Sequence, residues 1–475
     1  MKTKFRELTM RMLAAAGPTF RRFWVSVGFT VALTTTLIMS TTGPYPRPAE
    51  VLNRLSPALL AGILTSWCAV LFWEFWNRRL SAQTPSKQQS PAHMAIAGNL
   101  IALGAAGIVT GATYAMLKGL TFVAISRHVG ICVFLFLMFF IIPHIRKNQG
   151  LEMYIVRLFT QAVVSVLFAA VMFFGLSAIT FTVTYLFSID VSYRIYLQIW
   201  LVMVGVLAPF LFMAGVPAAG ATVESDDYPK VLYNLVVYVV TPLLTTYTVI
   251  LYLYFAKILI TRQWPVGLVS HLVLWYSVAS TAMLYFVWPL TSGNKWAETF
   301  SRYFKKTVIP LLAMMFFSIG IRIKFYGITE NRYYVLVLGL WVLGSMLYLN
   351  LAKARKTVVL PVSLAIVVAL SVIGPWSSFA VSKWSQNRRL ERLCDQYGMA
   401  DSGTISPSSQ VAQSDRREMA AILQYFDRYH DLADVKLLPQ GFTLAQFEQV
   451  FGFSYADTEL PVPVQGLQYE AAYLP

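Results

Sequence analysis

Charge and cysteine are scarce in this chain. Only 13% of its 475 residues are charged, and its three cysteines, Cys68, Cys132 and Cys394, form neither a CxxC motif nor an even set in polar segments. A disulfide framework and a structural zinc site are therefore not indicated. The five His residues are scattered without metal-ligand spacing. The sequence predicts neither a metal nor any other cofactor.

Motifs of catalysis are also missing. The sequence contains no HExxH, no GxSxG and no Gly-rich phosphate loop. We therefore expect a non-enzymatic protein. An enzyme acting on a lipid-linked substrate at the outer leaflet remains an alternative, although the first outer loop, TTGPYPRPAEVLNRLS, offers a base or metal only one acid, Glu50.

Apolar residues, by contrast, are abundant. They make up 57% of the chain, and the mean hydropathy is +0.59, a composition typical of membrane proteins. A helix needs about 20 apolar residues to span a bilayer. Runs that meet or approach this length lie near 23–40, 57–76, 95–116, 128–143, 158–187, 195–216, 231–256, 268–290, 307–323, 333–351 and 357–378. The predicted fold is an all-α polytopic membrane bundle of about eleven helices.

The positions of Lys and Arg predict the orientation of the bundle. With the N-terminus on the cytoplasmic side, inner segments contain 20 of the 38 cations and outer segments contain 10. Cationic loops are retained on the cytoplasmic side, so this orientation is favoured. We expect a bacterial cytoplasmic (inner) membrane protein with a cytoplasmic N-terminus and an extracytoplasmic C-terminal domain. The net charge of +16 thus reflects topology, and no nucleic-acid partner is predicted.

The composition divides the chain into three parts. Residues 1–22 form a basic cytoplasmic segment, 23–378 the helix bundle, and 379–475 a small, mainly helical domain that contains 12 of the 22 acids. In this tail we predict a helix over Lys383–Tyr397 and a second helix capped by Ser414. A third, short helix is predicted to be capped by Thr443 and to end at Gly452.

Few polar residues interrupt the spans. An interfacial salt bridge accounts for Glu74, interhelical hydrogen bonds account for Asn99 and Asn234, and packing accounts for His271. A carrier or channel is the alternative, in which these four side chains would line a polar cavity. Pro209 and Pro242 also interrupt apolar runs, as broken transporter helices do, but prolines are ordinary in membrane helices.

Cations collect at the outer ends of the later spans, where the topology rule disfavours them. The candidate ligand-binding cluster comprises Arg194, Lys257, His271, Arg322, Glu330, Asn331 and Arg332. Guanidinium groups at a lipid–water boundary suit a phosphate, so an anionic lipid headgroup is the predicted ligand, in addition to the bilayer itself. The alternative is that these cations only snorkel and pair with local acids.

Four of these cluster residues stand in or beside the stretch KFYGITENRYY, residues 324–334. Gly327 is predicted to end one helix, and Thr329 to cap the next, with Glu330 in its first turn. We expect Glu330 and Arg332 to pair with each other or to face a shared groove with Arg194 or Lys257.

Three separated segments resemble a known family. The first runs from Asn294 to Lys353 and begins NKWAETFSRYFKKTVIPLLAMMFFSIGIRIKFYGITENRYY. The second is YPKVLYNLVVYVVTPLLTTYTVILYLYFAKILI. The third is SQNRRLERL in the tail, followed later by DRREMAAILQYFDRYH. Over roughly residues 190–435 they are similar to a bacterial membrane-protein family filed as domain of unknown function four-one-five-three. The resemblance implies a multispanning membrane architecture and no assigned activity. The expected function is therefore an integral inner-membrane protein of unknown role that binds an anionic lipid or takes part in envelope sensing.

Overall fold

The computed structural model describes residues 2–42, 48–83, 91–145, 150–188, 192–218, 228–262, 268–352, 356–401 and 404–455. Nearly all of them are helical. The α-helices are α1 Lys2–Thr42, α2 Pro48–Gln83, α3 Pro91–Met116, α4 Phe122–Ile141, α5 Leu151–Phe187, α6 Arg194–Val202, α7 Ala208–Gly215, α8 Lys230–Asn234, α9 Thr241–Thr261, α10 Leu268–Val287, α11 Lys295–Tyr326, α12 Glu330–Leu351, α13 Val359–Val372, α14 Ser378–Gln396, α15 Gln413–Tyr429 and α16 Phe447–Phe451. Strands β1 Ala400–Asp401 and β2 Thr404–Ile405 pair antiparallel.

Ten of the predicted apolar runs form helices that are long and apolar enough to cross a membrane. This confirms an all-α polytopic bundle. The eleventh run forms α13, a helix of only 14 residues, which ends before the left-handed Gly374, at φ 80°. At 1.5 Å per residue α13 is about 21 Å long, shorter than the roughly 30 Å hydrocarbon core.

Helix α13 nevertheless carries the chain back along the whole length of α12. Near its start, the backbone N–H of Lys356 donates to the Tyr348 hydroxyl at 2.9 Å. Beyond its end, the Tyr333 hydroxyl donates to the carbonyl of Trp376 at 2.6 Å. The contacts thus pair late α12 with early α13 and early α12 with the segment after α13. The tail therefore emerges at the same end of the bundle as the turn between α11 and α12.

Two spans contain a π-helical segment immediately before an X-Pro step. Met203–Leu207 links α6 to α7 ahead of Pro209, and Leu235–Val240 links α8 to α9 ahead of Pro242. Proline has no N–H and its ring clashes with the carbonyl four residues earlier, so the hydrogen-bond ladder shifts by one residue. Both helices continue through these prolines.

Helix α1 is broken at Phe23, where φ is −133° and ψ is 30°. The buried side chain of Asn99 in α3 forms hydrogen bonds with backbone groups on both sides of this break. Its Nδ2 donates to the carbonyls of Arg21 and Arg22 at 3.3 and 3.0 Å, and its Oδ1 accepts from the N–H of Val25 at 3.3 Å. The interhelical role predicted for Asn99 is thus confirmed.

The tail has an apolar core of its own. Leu390 and Cys394 of α14 pack there with Met419, Leu423 and Phe426 of α15. Thr443 and Gln446 form the capping box that begins the short third helix, and Gly452 ends it with φ 80°. Ser414 does not cap the second helix, because α15 begins one residue earlier and Ala412 occupies the N-cap position.

Candidate functional site: the junction between bundle and tail

The turn between α11 and α12 is the platform on which the tail docks. Gly327 ends α11 with φ 67°, a left-handed conformation that glycine adopts without strain. A Cβ at this position would also lie 3.0 Å from Gln386 Nε2 and 3.1 Å from Ser385 Oγ, both on α14. Thr329 occupies the N-cap position of α12, but its side chain forms no capping hydrogen bond. The predicted helix boundary is therefore confirmed, and glycine at 327 serves the docking contact as well.

The tail helix α14 satisfies the backbone groups of this turn. Gln386, which is 2% exposed, donates from Nε2 to the carbonyls of Tyr326 and Ile328 at 3.2 and 3.1 Å. The N–H of Ile328 donates to Ser385 Oγ at 2.8 Å. The last carbonyls of a helix lack intrahelical partners. Here side chains of the tail supply them.

Two arginine side chains also donate hydrogen bonds to carbonyl groups at the end of α11. Arg332 Nη1 donates to the carbonyls of Tyr326 and Gly327 at 2.9 and 3.0 Å, and Arg389 Nη1 donates to that of Tyr326 at 3.1 Å. Cations are stabilising at the negative end of a helix. Arg389 is neutralised by Glu418 of α15, with Nε 2.5 Å from Oε1. Arg332 therefore has a structural role that its position in the sequence did not reveal.

A buried carboxylate joins α12 to the second tail helix. Glu330 accepts hydrogen bonds from the Tyr425 hydroxyl at 2.8 and 2.7 Å, and its Oε1 lies 2.8 Å from His430 Nε2. The side chains of His430 and Glu330 are only 1% and 6% exposed. The Tyr425 hydroxyl is also 2.9 Å from His430 Nε2. Burial, followed by the charge of Glu330, raises the pKa of Tyr425, so this residue stays a neutral phenol.

Further contacts surround this network. Lys383 of α14 pairs with Asp434 at 2.9 Å, and Tyr429 of α15 packs edge-on against Phe122 of α4 with ring centroids 5.0 Å apart. Hydrogen bonds, ion pairs and aromatic edges thus dominate the junction. The large apolar clusters lie on either side of it, one in the tail and one among α8–α12.

The structure brings some of the predicted cluster residues together. The charge of Arg322 acts on both His271 and Arg332. Ser270 and Ser318, which stand beside His271 and one turn before Arg322, lie 3.3 Å apart between their Oγ atoms. Within the described chain, Arg322 forms no ion pair with a carboxylate.

The other residues of the predicted cluster do not join His271, Arg322 and Arg332. Arg194 and Lys257 are exposed, and no described contact joins either to Arg322 or Arg332. Asn331 is exposed beside Glu330. Glu330 itself is 4% exposed and points into the tail, so it pairs with His430 instead of Arg332.

Sequence reasoning missed the tail half of the site. It assigned no chemistry to Gln386, Arg389, Tyr425 or His430. For Gln386 and Arg389, the signal that could have found them is the spacing in α14, where Ser385, Gln386 and Arg389 share one side of a helix. Their polar side chains needed a partner, and the turn at 327–329 provides it.

A second polar cluster lies inside the bundle. Arg22 of α1 forms a two-point ion pair with Glu74 of α2, at 2.6 and 2.9 Å, and donates to the carbonyls of Val216 and Pro217 at 2.6 and 3.2 Å. The predicted salt bridge of Glu74 therefore exists, with a partner from another helix. Glu74 and Asn99 are engaged here, whereas Asn234 and His271 are exposed. The four side chains considered for a carrier cavity do not converge.

Among the described residues, no group of three or more His, Cys, Asp or Glu side chains is arranged to hold a metal ion. The three cysteines are free thiols. Burial, followed by the charge of Asp395, raises the pKa of the Cys394 thiol in the tail to about 11.

Fold and site together define a polytopic helical membrane protein whose C-terminal tail docks on the helix bundle. Residues 81–400, more than half of the chain, match the family described as Domain of unknown function (DUF4153), and the protein belongs to that family. The match begins earlier in the chain than the resemblance seen in the sequence. It includes the platform turn and α14, and it ends before α15.

A curated relative is the Uncharacterized protein PM1469 of Pasteurella multocida (strain Pm70), 24% identical over 296 residues. The match covers 61% of this chain and 51% of the relative, so the chain spans about half the length of that relative. No solved structure matches the chain.

Proposed function

We propose that this protein is a non-enzymatic sensor of the bacterial inner membrane, in which docking of the tail on the bundle is the state that changes. The observation that supports this most is the polar junction at residues 326–330. The tail has its own apolar core and meets the bundle through hydrogen bonds and ion pairs. Polar interfaces of this kind favour relative domain motion.

The same proposal includes the orientation of the chain. The distribution of Lys and Arg supports a cytoplasmic N-terminus. With α13 returning the chain beside α12, the tail then lies on the extracytoplasmic side, together with the platform turn. A tail in this position would be exposed to the cell envelope. The bundle would transmit the docked or undocked state of the tail to the cytoplasmic side.

The proposed ligand of the bundle is the phosphate of an anionic lipid headgroup, bound by Arg322 with His271 nearby. Arg322 stands four residues before the end of α11 and repels Arg332. A phosphate beside Arg322 would neutralise that repulsion. Because Arg332 holds the carbonyls of the platform turn, headgroup binding would stabilise the turn in the form that the tail recognises.

The experiment measures docking directly in lipid nanodiscs. Spin labels are placed at two exposed positions, Arg417→Cys on α15 and Lys306→Cys on α11, in a chain whose native cysteines are replaced with alanine. The docked population is then compared between phosphatidylcholine alone and its mixture with phosphatidylglycerol. We expect the anionic lipid to increase the docked population, and Arg322→Gln to abolish this increase.

The matched control is Lys257→Gln, which removes one exposed cation from the end of another span. It should leave the lipid response intact. The proposal fails if phosphatidylglycerol has no effect on docking, or if both glutamine variants lose the response equally.

A further inference from the structure

One contact of the tail with the bundle is made by the ionisable side chains of Glu330 and His430, which are almost fully buried. Glu330 belongs to α12, while Tyr425 and His430 belong to the tail, 95 and 100 residues further along the chain. The carboxylate accepts from both partners within 2.8 Å. A buried carboxylate is expensive unless it is paired and hydrogen-bonded. Docking of the tail is thus what satisfies Glu330.

The groups around this pair carry little compensating charge of their own. From α12, Tyr334 faces Glu330 while its hydroxyl is hydrogen-bonded to Ser378, and Arg332 acts on Tyr425 from the platform turn. From α15 comes Tyr429, and from α14 the uncharged Ser382.

The nearby charges of the tail have other partners. Lys383 pairs with Asp434, and Asp431 accepts from the N–H of Ala433 at 2.9 Å. Arg389 pairs with Glu418. Among the described residues, His430 therefore supplies the nitrogen base within hydrogen-bond distance of the Glu330 carboxylate.

We propose that Glu330 and His430 form a proton-binding site that controls the docking of the tail. The inference rests on the proposed sensing function and names its second input, the proton. With one proton on the imidazole and none on the carboxylate, the two side chains form a buried ion pair across the junction. Imidazole is the side chain whose charge changes between about pH 5 and pH 8.

The direction of the response follows from the charges. When the imidazolium loses its proton, the carboxylate keeps its hydrogen bonds but loses its countercharge, so docking weakens as the pH rises. When strong acid protonates Glu330, the imidazolium is left buried without a countercharge, and docking weakens again. Tyr425 stays a phenol throughout and orients both partners without titrating.

The test uses the full chain with the labels at Arg417→Cys and Lys306→Cys, in nanodiscs of phosphatidylcholine alone. Anionic lipid is left out, so that a failure of lipid coupling and a failure of proton coupling are separate results. Between about pH 5 and pH 8, we expect the ratio of docked to undocked protein to fall with rising pH. One linked proton allows a change of up to about tenfold per pH unit.

Three variants decide the assignment. His430→Gln keeps a hydrogen-bonding group but removes the imidazole, so it should reduce the pH dependence to less than about twofold across the range. Glu330→Gln leaves the buried imidazole without a countercharge, so it should reverse the slope, and docking should strengthen as the pH rises. Tyr425→Phe removes a hydrogen bond without removing a charge, so it should lower the docked population at every pH and keep the same slope.

The inference is overturned if the wild-type ratio does not depend on pH, or if either glutamine variant responds as the wild type does. It is also overturned if Tyr425→Phe abolishes the slope as completely as His430→Gln, because general weakening of the junction would then explain both.

Discussion

Arg332 of α12 and Arg389 of α14 donate to one oxygen, the carbonyl of Tyr326, at 2.9 and 3.1 Å. The two guanidinium groups repel each other, and the negative end of the 32-residue helix α11 offsets this repulsion. A single carbonyl thus joins a bundle helix to a tail helix. Both arginines therefore have a structural role at the end of α11.

Replacement of these two arginines should have non-additive effects. Arg332→Gln and Arg389→Gln each remove a charged donor, a loss of about 1.5–3 kcal/mol, but each also relieves the repulsion felt by the other. The same repulsion is relieved in each single variant but can be relieved only once in the double variant, so we expect the double variant to lose more docking free energy than the sum of the single variants, by about 0.5 kcal/mol or more. Label distances on the four proteins measure this coupling, and strict additivity would contradict it.

Gly327→Ala should weaken docking of the tail. The backbone of Gly327, at φ 67° and ψ −175°, costs a residue with a Cβ about 1–3 kcal/mol, and the added Cβ would also press on Gln386 and Ser385. The matched control is Gly344→Ala in α12, where a Cβ meets nothing within 4 Å. That variant should be neutral or slightly stabilising, because alanine is the better helix former. Docked populations and melting temperatures of both proteins check the contrast.

Asn99→Ala should destabilise the bundle. It leaves the part-buried carbonyls of Arg21 and Arg22 and the buried N–H of Val25 without their side-chain partner, at a cost of about 1–3 kcal/mol for an unsatisfied buried group. Asn234→Ala removes an exposed amide from another span and serves as the control. Thermal unfolding in detergent should separate the two variants, and equal melting temperatures would show that Asn99 does not support the break in α1.

Cys394 should be almost inert to a water-soluble maleimide at neutral pH. Burial raises its pKa from the ordinary 9.0 to about 11, which lowers the reactive thiolate fraction about 100-fold. The folded tail favours the neutral thiol of Cys394, so this thiol contributes to the stability of the folded tail at low pH. The contribution is complete below the pKa of the unfolded thiol and is lost as the pH rises through about 11.

The control for this labelling is Ser409→Cys, at an exposed position of the same domain. It should react at the rate of a free thiol, and mass spectrometry of peptides identifies the labelled site. Comparable rates for Cys394 and the introduced cysteine at neutral pH would show that the tail core is open.

The sequence predicted what is decided locally. Ten spans follow from the length of apolar runs, and the end of α11 follows from Gly327. These features depend on neighbours a few residues away, so one sequence is enough to read them.

Which charged side chains pair with each other could not be predicted in the same way. Glu330 appeared beside Arg332 in the sequence, but its partner His430 lies 100 residues away. Arg22 and Glu74 are likewise 52 residues apart. Which charge meets which depends on how the helices pack, and neither composition nor spacing records that. Ser414 was a reasonable cap by residue type, but the helix begins one residue before it.

The short helix α13 has a consequence for the lipid around the protein. Its outward side chains, among them Ile366, Leu370 and Ile373, are 55%, 48% and 65% exposed, yet the helix is about 21 Å long. If α13 lies in the bilayer together with the 37-residue α5, the two helices present hydrophobic heights that differ widely. The lipid would then have to shorten or splay beside α13, while α5 would have to tilt.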